Sequence, residues 1–198
     1  QGEPKMGKSS IALYLALSAA CGAWVSGRFS VPKSRRVLFV SYEDGDARLQ
    51  NNLRLYLAGL GCDAPPTLDI YSHRDAPELR LENVEGVSRL RYLLGRGKYE
   101  FAVFDTLSHL HGAEENSKKE MQPVLDALKN AARDFSCSFL FNHHPGKSKE
   151  GKSPIYLGRG TSAIAASVDT LIKWGDRGDS DITPCSLHSK DDGQDKWN

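Results

Sequence analysis

Long apolar runs are missing from this chain. It holds no stretch of about eighteen uncharged apolar residues, so no membrane-spanning helix is predicted, and nothing resembles a secretory leader. Surplus charge is missing too. Lys and Arg number 26 against 25 for Asp and Glu, a formal net charge of +1, so any binding to nucleic acid must come from local patches. Cysteine is scarce: Cys21, Cys62, Cys137 and Cys185 lie far apart in sequence and form none of the close pairs of a structural zinc site. Cys21 in an apolar helical run and Cys137 opening an apolar strand run read as reduced, buried thiols, which predicts an intracellular, cytoplasmic protein. Internal repeats and long low-complexity tracts are absent, and 198 residues at 39% apolar content suffice for one domain spanning 1–198. An initiator Met is absent at Gln1, and the loop beginning at Gly2 has no strand in front of it. The expectation is a domain truncated at its N-terminus, with its first strand outside this sequence.

What is present alternates between helical and extended patterns. Residues 9–20 carry Ile11, Leu13, Leu15 and Leu17 among alanines and predict a helix buried on most sides, ended by Gly22. Val37-Leu38-Phe39-Val40 is a buried parallel strand followed by a polar loop, and Leu49, Leu53, Tyr56, Leu57 and Leu60 give residues 46–60 a helical stripe. A weaker strand covers 68–71. Helix 84–94 is punctuated by Gly95 and Gly97, and Phe101-Ala102-Val103-Phe104 is a second buried strand. Residues 117–135 repeat apolar positions at helical spacing, with Pro123 in the first turn or two. Phe139-Leu140-Phe141 is a third buried strand. Residues 146–160, rich in Lys, Gly and Ser, read as a surface loop. A short helix at 162–166 leads to strands at 168–174 and 182–189, joined by a turn at 175–179 as an antiparallel hairpin. The fold class predicted is α/β, a mostly parallel sheet flanked by helices with a C-terminal antiparallel hairpin.

The chemistry concentrates at strand ends. Gly2-Glu3-Pro4-Lys5-Met6-Gly7-Lys8-Ser9 fits the pattern Gly, four variable residues, Gly, Lys, Ser, and runs directly into a helix. Its backbone amides and the helix N-terminus are suited to phosphate oxygens, and Ser10 extends the nucleotide-binding stretch. Lys8 would reach the β- and γ-phosphates and Ser9 would place a hydroxyl on Mg²⁺. Asp105, ending a buried strand, is positioned to hold Mg²⁺ directly or through water. Glu43, at the corresponding end of the 37–40 strand, is the candidate base for the attacking water, with Asp44 its competitor. His143 ends the third strand and is suited to a γ-phosphate contact; His144 is the weaker choice. His109 and His111 have metal-compatible spacing without a nearby acidic or cysteine partner, which favours solvated or DNA-facing histidines. Lys147, Lys149, Lys152 and Arg159 in the basic loop are candidates for single-stranded nucleic-acid phosphates, and a plain solvated loop is nearly as good a reading. Arg177 and Lys190 are candidates for a subunit interface.

Taken in order, Gly2 to Ser9, Ser41-Tyr42-Glu43-Asp44, Asp105-Thr106, Phe139-Leu140-Phe141-Asn142-His143-His144 and Gly158-Arg159-Gly160-Thr161-Ser162-Ala163 make the chain resemble the RecA-like P-loop ATPases of the plasmid RepA and DnaB-type replicative helicase group. The resemblance implies a hexameric ring with ATP between subunits and single-stranded DNA in its channel. It also implies Lys8 and Ser9 as Walker A, Glu43 as base, Asp105 as Walker B and His143 as sensor. Ser189-Lys190 resembles the strand that carries a basic finger across the interface. Two positions depart from the pattern: Pro4-Lys5-Met6 fills the usually small loop interior, and Asp192 stands where a second basic residue is common. The reading is a MgATP-hydrolysing helicase or translocase ATPase. Its alternatives are a recombination or repair ATPase on the same core, a P-loop small-molecule kinase and an inactive assembly module.

Overall fold

A computed structural model describes residues 7–25, 29–143, 162–174, 185–189 and 195–197. Four parallel strands, β1 (Val37–Ser41), β2 (Leu68–Tyr71), β3 (Phe101–Asp105) and β4 (Ser138–Phe141), form a sheet in the order β2-β1-β3-β4. Helices flank it: α1 (Lys8–Cys21), α2 (Asp46–Leu60), α3 (Val84–Gly97) and α4 (Lys118–Phe135). This is the α/β architecture expected of a P-loop nucleotide hydrolase core.

The chain divides into two compact units. One comprises Ser9–Gly112 and Ala127–Asn142 and contains the whole parallel sheet. The other includes Ala113–Asp126 and the residues from His143 onward. In the latter, α5 (Ser162–Ser167) precedes β5 (Thr170–Trp174), β6 (Cys185–Ser189) and β7 (Asp195–Trp197), an antiparallel sheet in which Thr170 faces Ser189 and Cys185 faces Trp197. The antiparallel pairing of the two final apolar strands is as expected. The third strand, Asp-Lys-Trp, was not: three residues with two charges carry no periodic signal. The loop at 146–160 and the turn at 175–179 lie outside the described residues.

Core packing explains the main sheet. Every residue of β1 is buried, as a central parallel strand covered on both faces requires. Val37, Phe39 and Val103 join Leu13, Ala16, Leu17 and Ala20 of α1 and Leu49 of α2 in one cluster. The alanines let α1 approach the sheet closely, and each fully buried Leu or Phe contributes about 1.5–3 kcal/mol over exposure. On the opposite side chain alternation, Phe104, Phe139 and Phe141 form an aromatic group, with centroids 5.8–5.9 Å apart.

Some local expectations need correcting. α3 does not stop at residue 94 but continues through Gly95 to Gly97, and ends where Lys98 turns left-handed (φ 48°) and its amide caps Leu94 O. Gly97 serves packing: a Cβ there would collide with the Tyr99 ring. Cys21 is only half-buried, and the fold sets it against Cys62, 41 positions on. Burial, followed by the Cys62 contact, pushes the Cys21 thiol up to about 11. Cys137 is buried as anticipated. Among the described residues no helix is long and apolar enough to cross a membrane.

Candidate functional site

Parallel strands deliver their carboxyl ends to one edge, where short loops hang between neighbouring ladders. β1 and β3 are adjacent, with Ser41 opposite Asp105. Tyr42 N donates to Asp105 O at 2.8 Å, which carries the pairing one residue past β1 and ties the backbone before Glu43 to that of Asp105. The turn then closes as Asp44 N donates to Ser41 Oγ at 3.1 Å. Glu43 is exposed on this turn. Asp44, its competitor, is drawn onto Arg48 one helical turn away, at 3.4 Å.

Asp105 is 1% exposed. Its Oδ1 accepts a 2.7 Å hydrogen bond from Asn142 Nδ2, while Oδ2 has no hydrogen-bond partner of standard geometry among the described residues. Burial pushes its carboxyl group above the ordinary range. The Asn142 amide and the Ser9 hydroxyl pull it back, and the nearby Glu43 and Asp44 carboxylates push it up again. An unpaired buried carboxylate oxygen is costly, and its retention beside a serine hydroxyl marks a place where a cation would restore the balance. The Asp105–Thr106 peptide is cis.

Asn142 belongs to this constellation, although nothing in the sequence reading gave it a role. Its amide N donates to Phe104 O at 3.1 Å and its carbonyl accepts from Leu107 N at 2.9 Å, so it laces the end of β4 to both sides of Asp105. The available signal was positional: a polar residue directly after a buried strand, as Asp105 is. His143 follows, 7% exposed, with Nδ1 3.9 Å from Glu115 Oε1.

At the phosphate-loop end, Gly7 adopts φ +82° in open space, so its conformation rather than crowding selects glycine. Lys8, Ser9 and Ser10 open α1, whose first turn carries no acidic side chain to compete for its amides. Gly2, Glu3, Pro4, Lys5 and Met6 lie outside the described residues, as do His144, Lys147, Lys149, Lys152, Arg159, Arg177 and Lys190.

The two other candidate histidines part company. His109 is exposed and its ring lies on Tyr42, whereas His111 is buried. Among the described residues no group of three or more His, Cys, Asp or Glu is arranged to hold a metal alone. Mg²⁺ in nucleotide sites is ordinarily held by one or two protein oxygens together with nucleotide phosphates and water. Ser9 and Asp105 are the protein oxygens that fit.

Beyond Asp44, a cavity of about 500 Å³ is lined by Gly45, Asp46, Ala47, Arg48, His73 and Arg74. Arg74 is 3.7 Å from Asp46, so both arginines of this cavity already face carboxylates.

No curated protein matches the chain significantly in sequence. A family model described as an AAA domain matches residues 1–150, which takes in the phosphate loop, both strand-end carboxylates and His143. That match covers most of the chain, and the chain belongs to the AAA domain family as a P-loop ATPase.

Proposed function

We propose that this ATPase hydrolyses MgATP in the manner of a DNA-coupled motor, with helicase or translocase activity in a homohexameric ring. The observation that carries the hydrolytic part is the pairing of Asp105 and Glu43 at adjacent strand ends, one buried with an unpartnered oxygen and the other exposed to an incoming substrate. A base on the neighbouring strand suits attack by water rather than by a second substrate, which argues against a small-molecule kinase. Coupling to single-stranded DNA rests on the resemblance to the RepA and DnaB-type group and on the local basic residues Lys147, Lys149, Lys152 and Arg159.

In this reading Lys8 binds the β- and γ-phosphates, and the Gly2–Ser10 stretch cradles them with backbone amides. Ser9 and Asp105 hold Mg²⁺, which when bound neutralises charge developing on the phosphates. Glu43 orients water and takes its proton. Asn142 keeps Asp105 oriented, and His143 responds to the γ-phosphate. Arg177 and Lys190 are the candidates to stabilise charge across a subunit interface.

The test is steady-state ATP hydrolysis with and without single-stranded DNA, comparing the parent protein with Glu43→Gln. Stimulation by DNA, and a fall of about 100-fold or more in kcat for Glu43→Gln with ATP binding retained, is the expected result. Turnover indifferent to DNA would remove the motor reading, and full activity in Glu43→Gln would remove the base.

A further inference from the structure

Glu43 sits on an exposed turn, and a general base acts well only when its carboxylate is held within a few tenths of an ångström of its working position. One restraint on it is found one residue earlier. Tyr42 is 8% exposed, and its hydroxyl donates to Pro77 O at 2.9 Å. One face of its ring is covered by His109, with centroids 5.4 Å apart and planes within 3° of parallel. That geometry is an offset stack.

His109 is itself fixed. It closes a short 3₁₀ turn, Leu107–His109, directly after Asp105-Thr106. Its Nδ1 lies 3.2 Å from Thr106 Oγ1, which is also 2.8 Å from Ser108 Oγ, and its backbone amide donates to Thr106 O at 3.2 Å. The imidazole therefore belongs to the loop that carries Asp105 while its face belongs to the residue that carries Glu43. Together with the Tyr42 N to Asp105 O bond, it clamps the two strand ends at two points, one through backbone and one through side chains. The Asp44 N to Ser41 Oγ bond closes the turn, and a stacked ring on a tethered tyrosine adds a restraint on how that turn can swing against the Asp105 loop.

We infer that His109 is a positioning residue for ATP hydrolysis, acting through its stack on Tyr42 to fix Glu43 relative to Asp105. The inference rests on Glu43 being the base. It gives a task to a histidine that the sequence alone reads as solvated or DNA-facing.

The experiment is a kinetic double-mutant cycle in the full chain, with ATP affinity measured separately by titration and folding checked by thermal melting. His109→Ala is expected to lower kcat about tenfold while KM and ATP affinity stay within about twofold. His109→Phe, which keeps a flat ring on Tyr42 and discards both nitrogens, is expected to recover most of the loss. His109→Ala added to Glu43→Gln is expected to cost almost nothing further, because a residue that acts only by aiming the carboxylate has nothing left to aim. A His109→Ala variant with the parent kcat would overturn the inference and leave the base intact. Equal loss in His109→Phe and His109→Ala, or full additivity with Glu43→Gln, would also overturn it, by showing that a ring nitrogen or general destabilisation is responsible. A Glu43→Gln variant that still turns over at the parent rate would sink the base first and the positioning role with it.

Discussion

At the amino end of β3, Glu100 accepts hydrogen bonds from Arg35 Nη1 at 2.7 Å and Arg36 N at 3.2 Å; at its carboxyl end, Asp105 is buried with one oxygen unpartnered and two other carboxylates nearby. The contrast extends across both edges of the sheet. On the amino edge Arg36 reaches Gly97 O, Pro66 O and Asp69 Oδ2, Asp69 also accepts from Tyr99 Oη at 2.7 Å, and the guanidinium lies over the Tyr99 ring. There each charge meets its opposite. On the carboxyl edge Glu43 and Asp44 lie close enough to raise the Asp105 pKa, and Asp44 is drawn onto Arg48. On one edge the carboxylates are matched by basic partners; on the other, two lie beside a buried aspartate, an arrangement that a cationic ligand would ease.

Asp105→Asn tests that contrast most severely. The substitution keeps an oxygen to accept the Asn142 hydrogen bond and removes the buried negative charge. Turnover is expected to fall by about 100-fold or more, because Mg²⁺ loses its carboxylate. The ligand-free variant should nevertheless melt no lower than the parent, and higher at neutral pH. A large drop in Tm would mean that Asp105 is a structural residue and that the two edges do not differ in kind.

Arg36→Ala attacks the other edge and should give the mirror image. Losing three hydrogen bonds and the contact with Tyr99 is expected to destabilise the fold by about 2 kcal/mol, read as a lower denaturant midpoint with unchanged slope. ATP affinity should be unaffected in samples held well below the melting transition. Loss of nucleotide binding without loss of stability would place function on the amino edge as well.

How far these edges could be read from sequence follows from the range of the interactions. Lys8 and Ser9 at the head of α1, Asp105 at the end of β3, Glu43 just after β1 and the helical stripe of 46–60 depend on neighbours a few residues away, and these lie in the elements expected, whereas Gly2 to Met6 fall outside the described residues. Leu79 and Leu81, both almost wholly buried, went unread because an isolated Leu-Arg-Leu between loops has too few alternations to register. Asn142 to Asp105 spans 37 positions, Tyr42 to His109 spans 67, and Cys21 to Cys62 spans 41. Each of these contacts exists only because strand order brings distant ends together. Nothing local to His109 distinguishes a ring stacked on tyrosine from a solvated one.

The smallest expected effect is also the sharpest form of the comparison, because the two ends of β3 should respond to pH with opposite signs. Hydrogen bonds from Arg35 and the Arg36 amide hold the Glu100 carboxyl below its ordinary value. Its contribution to stability is present above the unfolded-state pKa and is lost as pH falls through the lower folded-state pKa. Asp105 is raised, chiefly by burial, so its folded state favours the protonated form: the associated stability is present below the unfolded-state pKa and is lost as pH rises through the folded-state value. In ligand-free protein, the Tm advantage of Asp105→Asn over the parent should therefore be greatest near neutral pH and shrink on acidification. The deficit of Glu100→Gln should likewise shrink on acidification, but as a loss of parent stability rather than a gain, and it should be slight because Glu100 is solvent-exposed. MgCl₂ with ATP should abolish the pH trend of the Asp105 pair alone, since a bound cation favours the ionised carboxylate. A Glu100 pair that changed with MgATP, or an Asp105 pair that did not, would show that the unbalanced charge at the carboxyl edge is not what the nucleotide complex satisfies.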